Sequence, residues 1–560
     1  MKKPDPKYIF VVGGVISGVG KGIAASSIGR ILEDRGLAVS AIKIDAYINV
    51  DAGTMNPTEH GEVFVLGDGD ETDQDMGNYE RFLNKDLTRT NYMTTGRVYA
   101  SVIERERNLG YGGRCVQVVP HIPLEIISRI KKARKNAKAD VVVIEIGGTV
   151  GEYENVLFLE AARMMKIESP QDVAFVMVSY LPVPSKVGEM KTKPTQHAVR
   201  ALNASGIQPD VVLARSDSPL DEKRKEKISF FCNLSKGRII SAPDVESVYD
   251  IPANFEKEKL SDLLCSILDL KAPKKKSSSA LAWKKFVRSV HRSKKPLKIA
   301  VVGKYFETGD FVLSDSYLSV IEAVKYSAFA EGRKPELVWL NSVDFEKSPA
   351  KLKSLSSYDG IIVPGGFGSR GVEGKLKVIQ YAREHKIPYF GLCYGMQLLV
   401  IEYARNVLGL KDANTREVNP NAKNIIIDVM ENQKERIAKK QMGNTMRLGA
   451  FPDVLKEGSV AARAYASLDS KAPRSARRIF ERHRHRYEVN NAYIPALERA
   501  GLVFSGKSPD GMLAEIAELP AREHPFFLGT QFHPEFLARP LSPHPLFTAF
   551  IKAAVKKKKQ

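Results

Sequence analysis

Cysteine is scarce in this 560-residue chain: Cys115, Cys232, Cys265 and Cys393 lie far apart, with no CxxC pair among them. That argues against a metal ribbon and a disulfide-stapled scaffold, and fits a reducing, cytoplasmic setting. Long apolar runs are missing too. The uncharged stretch Tyr8–Gly20 is too short and too glycine-rich for a bilayer span, which needs about 20 mostly apolar residues. No membrane partner is expected. Lys2, Lys3 and Lys7 before that stretch, with Ala24-Ala25-Ser26 after it, imitate a secretory leader, but Gly13, Gly14 and Gly18 break the apolar core that a leader requires.

Acidic residues are absent from two segments. Lys271–Lys298 carries 11 Lys/Arg and Ile551–Gln560 carries 5 Lys, with no Asp or Glu in either. Most of the formal net charge of +20 therefore sits in a basic linker (271–298) and a basic tail (552–560), which leaves the folded bodies nearly balanced. The distribution argues against nucleic acid as a partner. With 43% hydrophobic and 27% charged residues, the chain is globular and long enough for more than one core.

Strand and helix signals alternate on both sides of the linker. Strands are predicted at Tyr8–Val12, Ala38–Ile44, Val141–Ile146, Val173–Val178 and Val211–Ala214, and helices starting near Lys21, Pro123 and Glu154. A short helix is predicted around Trp283–Val290, and strands resume at Ile299–Val302, Gly360–Val363 and Tyr389–Leu392. Such alternation gives parallel sheets covered by helices. The expectation is α/β throughout: two doubly wound, mainly parallel-sheet domains over 1–270 and 299–551.

The first strand runs into Gly13-Gly14-Val15-Ile16-Ser17-Gly18-Val19-Gly20-Lys21-Gly22. Glycines let backbone N–H groups approach an anion, and a lysine reaches terminal phosphates. The spacing departs from the strict phosphate loop, with one residue too many between Gly14 and Gly20 and Gly22 where a magnesium-binding hydroxyl would stand. Mg²⁺ then needs carboxylates from elsewhere. Glu145, at the end of a strand, and Asp75 are the candidates. Lys191 and Lys193, with Pro194 favouring an extended backbone before it, are expected to face one side and to suit a second polyanion.

In the second half, Phe390-Gly391-Leu392-Cys393-Tyr394-Gly395 reads as a strand, a G-x-C-x-G turn and a helix start, the cysteine analogue of a nucleophile elbow. His533 and Glu535 offer a base and its orienting carboxylate, expected side by side in an extended segment. Pro364-Gly365-Gly366 could supply an oxyanion-binding N–H.

Lys43–Asp51, His60–Val65, Glu145–Gly151, Lys191–His197 and His483–Asn490 carry a specific resemblance: the chain resembles the CTP synthase family over nearly its whole length. The resemblance implies an amidoligase domain and a class I glutaminase domain in a homotetramer, with ATP, UTP and glutamine as substrates and ammonia passing through a tunnel near His60. Ser17 and Gly18, Val19, Gly20, Lys21, Gly22 and Ile23 would hold ATP phosphates and UTP, with Asp244 and Val245 at adenine. Asp75 and Glu145 would bind Mg²⁺, and Lys21 and Lys43 would steady the transferred phosphoryl group. Lys191, Thr192, Lys193, Pro194, Thr195, Gln196 and Lys227 would bind UTP or CTP, and Glu152, Tyr153 and Glu154 the inhibitor CTP. Cys393, His533 and Glu535 match the catalytic triad; Gly366, Tyr394, Gly395, Met396, Gln397, Glu417 and Arg486 match glutamine-binding positions.

The chain departs from the family pattern in having Tyr394 for leucine, Glu152-Tyr153-Glu154 for Asp-Ile-Glu, and a shorter Met430–Gly443, the segment through which GTP would activate. The deviant loop alone would also suit a nucleotide-switched ATPase of the partitioning type with a vestigial amidotransferase domain. Such a protein has no need of Cys393, His533 and Glu535 together.

Overall fold

The apolar runs become strands buried on both faces, as continuous Val/Ile runs do in parallel sheets. The computed structural model describes residues 6–186, 188–271, 277–303, 314–430, 433, 446–466 and 478–558. The chain divides into two compact units, one of Met1–Asp51 with Asp75–Val287, the other of Ala52–Gln74 with Arg288–Gln560. Ala52–Gln74, which lies inside the first expected domain, thus groups with the second unit.

Among its described residues the first unit holds seven strands: β1 (Lys7–Gly14), β2 (Val39–Asp45), β3 (Tyr92–Thr94), β4 (Val141–Ile146), β5 (Val173–Tyr180), β6 (Val211–Ser216) and β7 (Ile239–Pro243). Their spatial order is β3-β2-β4-β1-β5-β6-β7, and every pairing is parallel. Strand β1 lies in the middle, where the winding reverses, and its carboxyl end is where such sheets bind ligands. Helices α1 (Lys21–Asp34) and α2 (Asp75–Leu83) follow. One large core packs Phe10, Ile144, Phe175 and Met177 against the helices on one face of the sheet.

Among the described residues the main sheet of the second unit has nine strands: β8 (Lys295–Gly303), β9 (Arg333–Asn341), β10 (Gly360–Val363), β11 (Tyr389–Leu392), β12 (Arg447–Leu455), β13 (Arg478–His485), β14 (Val503–Lys507), β15 (Ala514–Glu518) and β16 (Phe527–Thr530). In space they run β9-β8-β10-β11-β16-β15-β14-β12-β13. The first five are mutually parallel and the rest add on antiparallel. Leu392 pairs with Thr530, so the cysteine turn after β11 and the histidine segment after β16 leave the sheet at neighbouring points.

Three expectations need correction. Helix α3 (Lys193–Ala204) begins at Lys193, with Thr192 already at φ −92°, ψ −16°, so Lys191 and Lys193 do not share an extended segment. Pro194 falls in the helix's first turn, where its missing N–H costs nothing. The helix predicted around Trp283–Val290 is there but longer, α4 (Ser278–Arg292), and takes up most of the basic linker, because its apolar positions fall on one stripe: Ala280, Trp283 and Phe286 are buried and Trp283 Nε1 donates to the Tyr249 carbonyl at 3.3 Å. Residues 272–276 lie outside the described residues, and Lys295–Lys298 already belong to β8. The basic tail continues helix α5 (Pro545–Lys557), with Ala553 and Ala554 buried. Among the described residues, no helix is long and apolar enough to cross a membrane. Of Met430–Gly443, only Met430 and Gln433 are described.

Candidate active sites

From Gly14 the chain turns through Val15, Gly18 and Gly20, at φ 82°, 70° and 88°, into α1. No side chain caps that helix, which leaves its first N–H groups for a ligand. Lys21 folds back so that Nζ donates to the Gly148 carbonyl at 2.8 Å, and burial pushes its pKa down. Ser17 and Gly18 are exposed, Val19 is buried and Ile23 half-buried.

Beside the loop, Lys43 on β2 gathers the acids. Its Nζ donates to Asp75 Oδ2 at 2.6 Å and to Glu145 Oε1 at 2.9 Å, and Asp45 Oδ1 is 3.7 Å away. Tyr79 donates to the other oxygen of Glu145. Burial pushes the Glu145 carboxyl up; burial acts the same way on Asp75, but the Lys43 ammonium outweighs it and holds that carboxyl below its ordinary value. A Cβ on Gly22 would lie 2.0 Å from Asp75 Oδ1. Asp75 therefore stands where a hydroxyl at position 22 would be, and the two carboxylates form a hard-oxygen donor set that fits Mg²⁺.

Arg215 is a residue the sequence did not reveal. It donates to the Val19 carbonyl at 3.2 Å and to Asp244, linking the phosphate loop to a residue expected at adenine. Val245 beside it is half-buried. At the other expected nucleotide contacts, Thr195 accepts from Ser179 Oγ at 2.8 Å, Gln196 Nε2 donates to Thr192 Oγ1 at 3.1 Å, and Lys191 pairs with Glu189 at 2.7 Å. Lys193 and Lys227 are exposed and Pro194 half-buried. The Glu189 carboxyl is held down first by Lys191, then by Arg224 and Lys227, so these cations share one neighbourhood. Glu152 accepts from the Thr149 N–H at 2.8 Å, while Tyr153 is 95% exposed and Glu154 exposed.

In the second unit the elbow is built as tightly as its glycines suggest. A Cβ on Gly391 would lie 2.6 Å from the Gly395 carbonyl carbon, and one on Gly395 would lie 2.1 Å from the Val363 oxygen. Cys393 itself sits at φ 49°, ψ −96° at the head of the helix Tyr394–Asn406, a strained backbone of the kind held at functional sites. His533 Nδ1 is 2.7 Å from Glu535 Oε1, but the two meet across a 3₁₀ turn, Pro534–Leu537, and not along an extended strand as expected. Burial opposes the imidazolium, yet Glu535, with Cys393 adding, pushes the His533 pKa up to about 10. Gly365 passes over both: its Cβ would lie 3.0 Å from His533 Cε1 and 3.9 Å from Cys393 Cβ.

Cys393, His533, Glu535, Gly366, Tyr394, Gln397, Glu417 and Arg486 line one cavity of about 780 Å³. Burial pushes the pKa of Arg486 down. Glu417 accepts from the Gly368 N–H at 2.7 Å and the Tyr394 hydroxyl donates to the Gly368 carbonyl at 3.0 Å, so the glycine-rich turn is pinned from both sides. Gly395 and Met396 instead pack against Val363 and Gly529. Sequence reasoning missed that Gly53, Met55, Asn56, Pro57, Glu62 and Val63 also line the cavity. Glu62 is tied to the head of Leu318–Ala330 by the Ser319 N–H at 3.0 Å. His60 ends the short helix Pro57–His60 and is exposed.

A parallel sheet that delivers a cysteine elbow and a His–Glu pair to one cavity defines a glutamine amidotransferase of class I, here on the same chain as a nucleotide-binding α/β unit. Two family models match in that sense: CTP synthase N-terminus over residues 7–270 and glutamine amidotransferase class-I over 312–553. The CTP synthase of Carboxydothermus hydrogenoformans is 49% identical over 554 residues, covering 99% of each chain. That of Sulfolobus acidocaldarius is 49% identical over 98% of this chain and 99% of its own. The glutaminase domain of Trypanosoma brucei CTPS with bound acivicin aligns with 46% of this chain and 94% of its own at 37% identity and TM-score 0.41. The chain belongs to the CTP synthase family, glutamine-hydrolysing ligases that aminate UTP to CTP.

Proposed function

We propose that Cys393, His533 and Glu535 release ammonia from glutamine and that the site around Lys21, Lys43, Asp75 and Glu145 activates UTP with ATP. The observation that carries the first part is the strained cysteine and the His–Glu pair lining one cavity with Gln397, Glu417 and Arg486. Cys393 Sγ attacks the carboxamide carbon of glutamine, and as the C–N bond breaks the His533 imidazolium gives its proton to the departing nitrogen. His533 then takes a proton from water, which opens the thioester to glutamate and restores the thiolate. Glu535 holds the imidazole throughout. The cavity's N–H donors at Gly366 and Tyr394 stabilise the oxyanion.

In the first unit the γ-phosphoryl group of ATP goes to O4 of the uracil ring, and ammonia then displaces phosphate at C4. Lys21 and Lys43 bring positive charge to the transferred group, and the loop N–H groups from Ser17 to Ile23 cradle the phosphates. Asp244 and Val245 adjoin the adenine. Asp75 and Glu145 would hold Mg²⁺, which supplies neutralisation of the phosphate charge. Lys191–Gln196 and Lys227 bind the UTP triphosphate, and CTP competes there while its base meets Glu152–Glu154. A homotetramer in the cytoplasm, with GTP as activator, completes the reading by family likeness.

The test is Cys393→Ala. Glutamine-driven CTP formation is abolished and ammonia-driven formation is kept, because chemistry and ammonia supply sit on separate residues. Loss of both activities in a folded variant would refute the division.

A further inference from the structure

We infer that Gln531 is a positioning residue for the nucleophile, its side-chain amide donating to Cys393 Sγ and holding the sulfur as the attacking thiolate. The inference rests on the reading of Cys393 as nucleophile and adds to it a residue outside the triad. Gln531 follows β16 directly, its backbone N–H is fixed to the Glu515 carbonyl at 2.8 Å, and the residue is 1% exposed. Its Nε2 lies 3.6 Å from Cys393 Sγ, within the reach of an N–H···S bond.

The direction of that bond is set by a second glutamine. Gln397 Nε2 donates to Gln531 Oε1 at 3.2 Å and to the Tyr487 carbonyl at 3.0 Å. A carbonyl cannot donate, so Gln397 must present its amide nitrogen to Tyr487 and hence to Gln531 Oε1. Gln531 is left with only its N–H₂ facing the sulfur. Besides His533, whose pKa Cys393 helps to raise against burial, the Arg484 carbonyl lies 3.9 Å from Sγ; it can accept a thiol proton but offers nothing to a thiolate. Of that carbonyl and the Gln531 amide, only the amide can donate to the thiolate that pairs with the His533 imidazolium. Hydrogen bonds to an ionised partner are the stronger kind, so the Gln531 bond favours the thiolate over the thiol. Gln397, assigned to glutamine by family likeness, has both contacts of its amide nitrogen committed to this chain and acts on Gln531.

The experiment follows alkylation of Cys393 by iodoacetamide at pH 7, read on the Cys393 peptide by mass spectrometry, with exposed Cys115 as internal reference. Gln531→Met keeps the length and removes the donor. Cys393 should react about tenfold more slowly, the loss of one hydrogen bond to a charged group, with Cys115 unchanged. Glutaminase kcat should fall by a similar factor with KM within twofold, and ammonia-driven CTP formation should persist. Gln397→Met should slow alkylation in the same direction but less. If Gln531→Met loses ammonia-driven synthesis, the isosteric Gln531→Glu carries the test and should slow alkylation further, since it sets a carboxylate beside the sulfur. Alkylation at the native rate in a folded Gln531 variant overturns the inference. A native chain whose Cys393 resists iodoacetamide while Cys115 reacts overturns the nucleophile reading and this inference with it.

Discussion

Asp75 occupies the space a side chain at position 22 would need: a Cβ there would lie 2.0 Å from its Oδ1 and 2.5 Å from its carboxyl carbon. The glycine that breaks the strict phosphate-loop pattern is what lets a carboxylate from helix α2 reach the loop and bond Lys43. Gly22→Ser, which restores the family-wide hydroxyl of phosphate loops, should therefore harm the enzyme. We expect ammonia-driven CTP formation to fall by at least about 100-fold, the scale of losing a metal-supported electrostatic contact, with circular dichroism unchanged. A Gly22→Ser enzyme working near the native rate would mean that Asp75 has no part in phosphoryl transfer.

His533 keeps its proton because Glu535 outweighs burial. Glu535→Gln removes the largest of the influences that oppose burial and leaves only Cys393, so the His533 pKa should fall, and glutaminase activity should drop by about two orders of magnitude while ammonia-driven synthesis survives. Stability tests the same pair. The folded-state pKa of about 10 lies above the ordinary 6.5, so the stabilisation is fully present below pH 6.5 and lost as pH rises from there through about 10. The melting-temperature gap between native and Glu535→Gln chains should be widest below pH 6.5 and close by pH 10; a gap independent of pH would contradict this assignment.

Much of this was readable in the sequence for a simple reason. Val141–Ile146, Gly360–Val363 and Tyr389–Leu392 are strands over the predicted residues, because strands buried on both faces need unbroken apolar runs. The elbow was readable because G-x-C-x-G encodes its own geometry locally. What could not be read joins distant positions. Gln531 and Cys393 are 138 residues apart in the chain and Arg215 and Val19 are 196 apart, so no local pattern ties them. Lys191–Lys193 failed for the opposite reason. Two local rules competed, since proline disfavours helix before itself but suits a helix's first turn, and the second prevailed.

Tyr153 stands out as a large ring left almost wholly in solvent, next to Glu152, whose carboxylate is occupied in holding the turn through the Thr149 N–H. The side chain free to meet a base is therefore Tyr153. Stacking of an aromatic ring contributes about 0.5–1.5 kcal/mol, so Tyr153→Ile should weaken CTP inhibition about two- to tenfold, with the UTP KM unchanged as control. Inhibition constants equal within twofold would show that CTP does not use this ring.

Asp453 on β12 is buried without a hydrogen-bond partner among the described residues, and its nearest imidazole nitrogen, His483 Nε2, is 3.9 Å away. Burial, reinforced by Glu515 and Glu481 and opposed by Arg447, pushes its pKa up to about 9. The folded chain therefore keeps a proton that the unfolded chain releases near pH 4, and stability drains away as pH rises from about 4 to about 9. Glu488, raised to about 7 mainly by burial, drains stability over the lower part of the same window. Asp453→Asn replaces the protonated acid by a neutral group of equal size and removes the larger of these losses. The variant's melting temperature should climb relative to the native chain's as pH rises from 5 to 9, each kcal/mol of lost native stability counting for about 2–4 °C in units of this size. Scanning fluorimetry of both chains across that range checks it. A variant that is equally destabilised at both values would show that Asp453 is ionised and paired in the native fold.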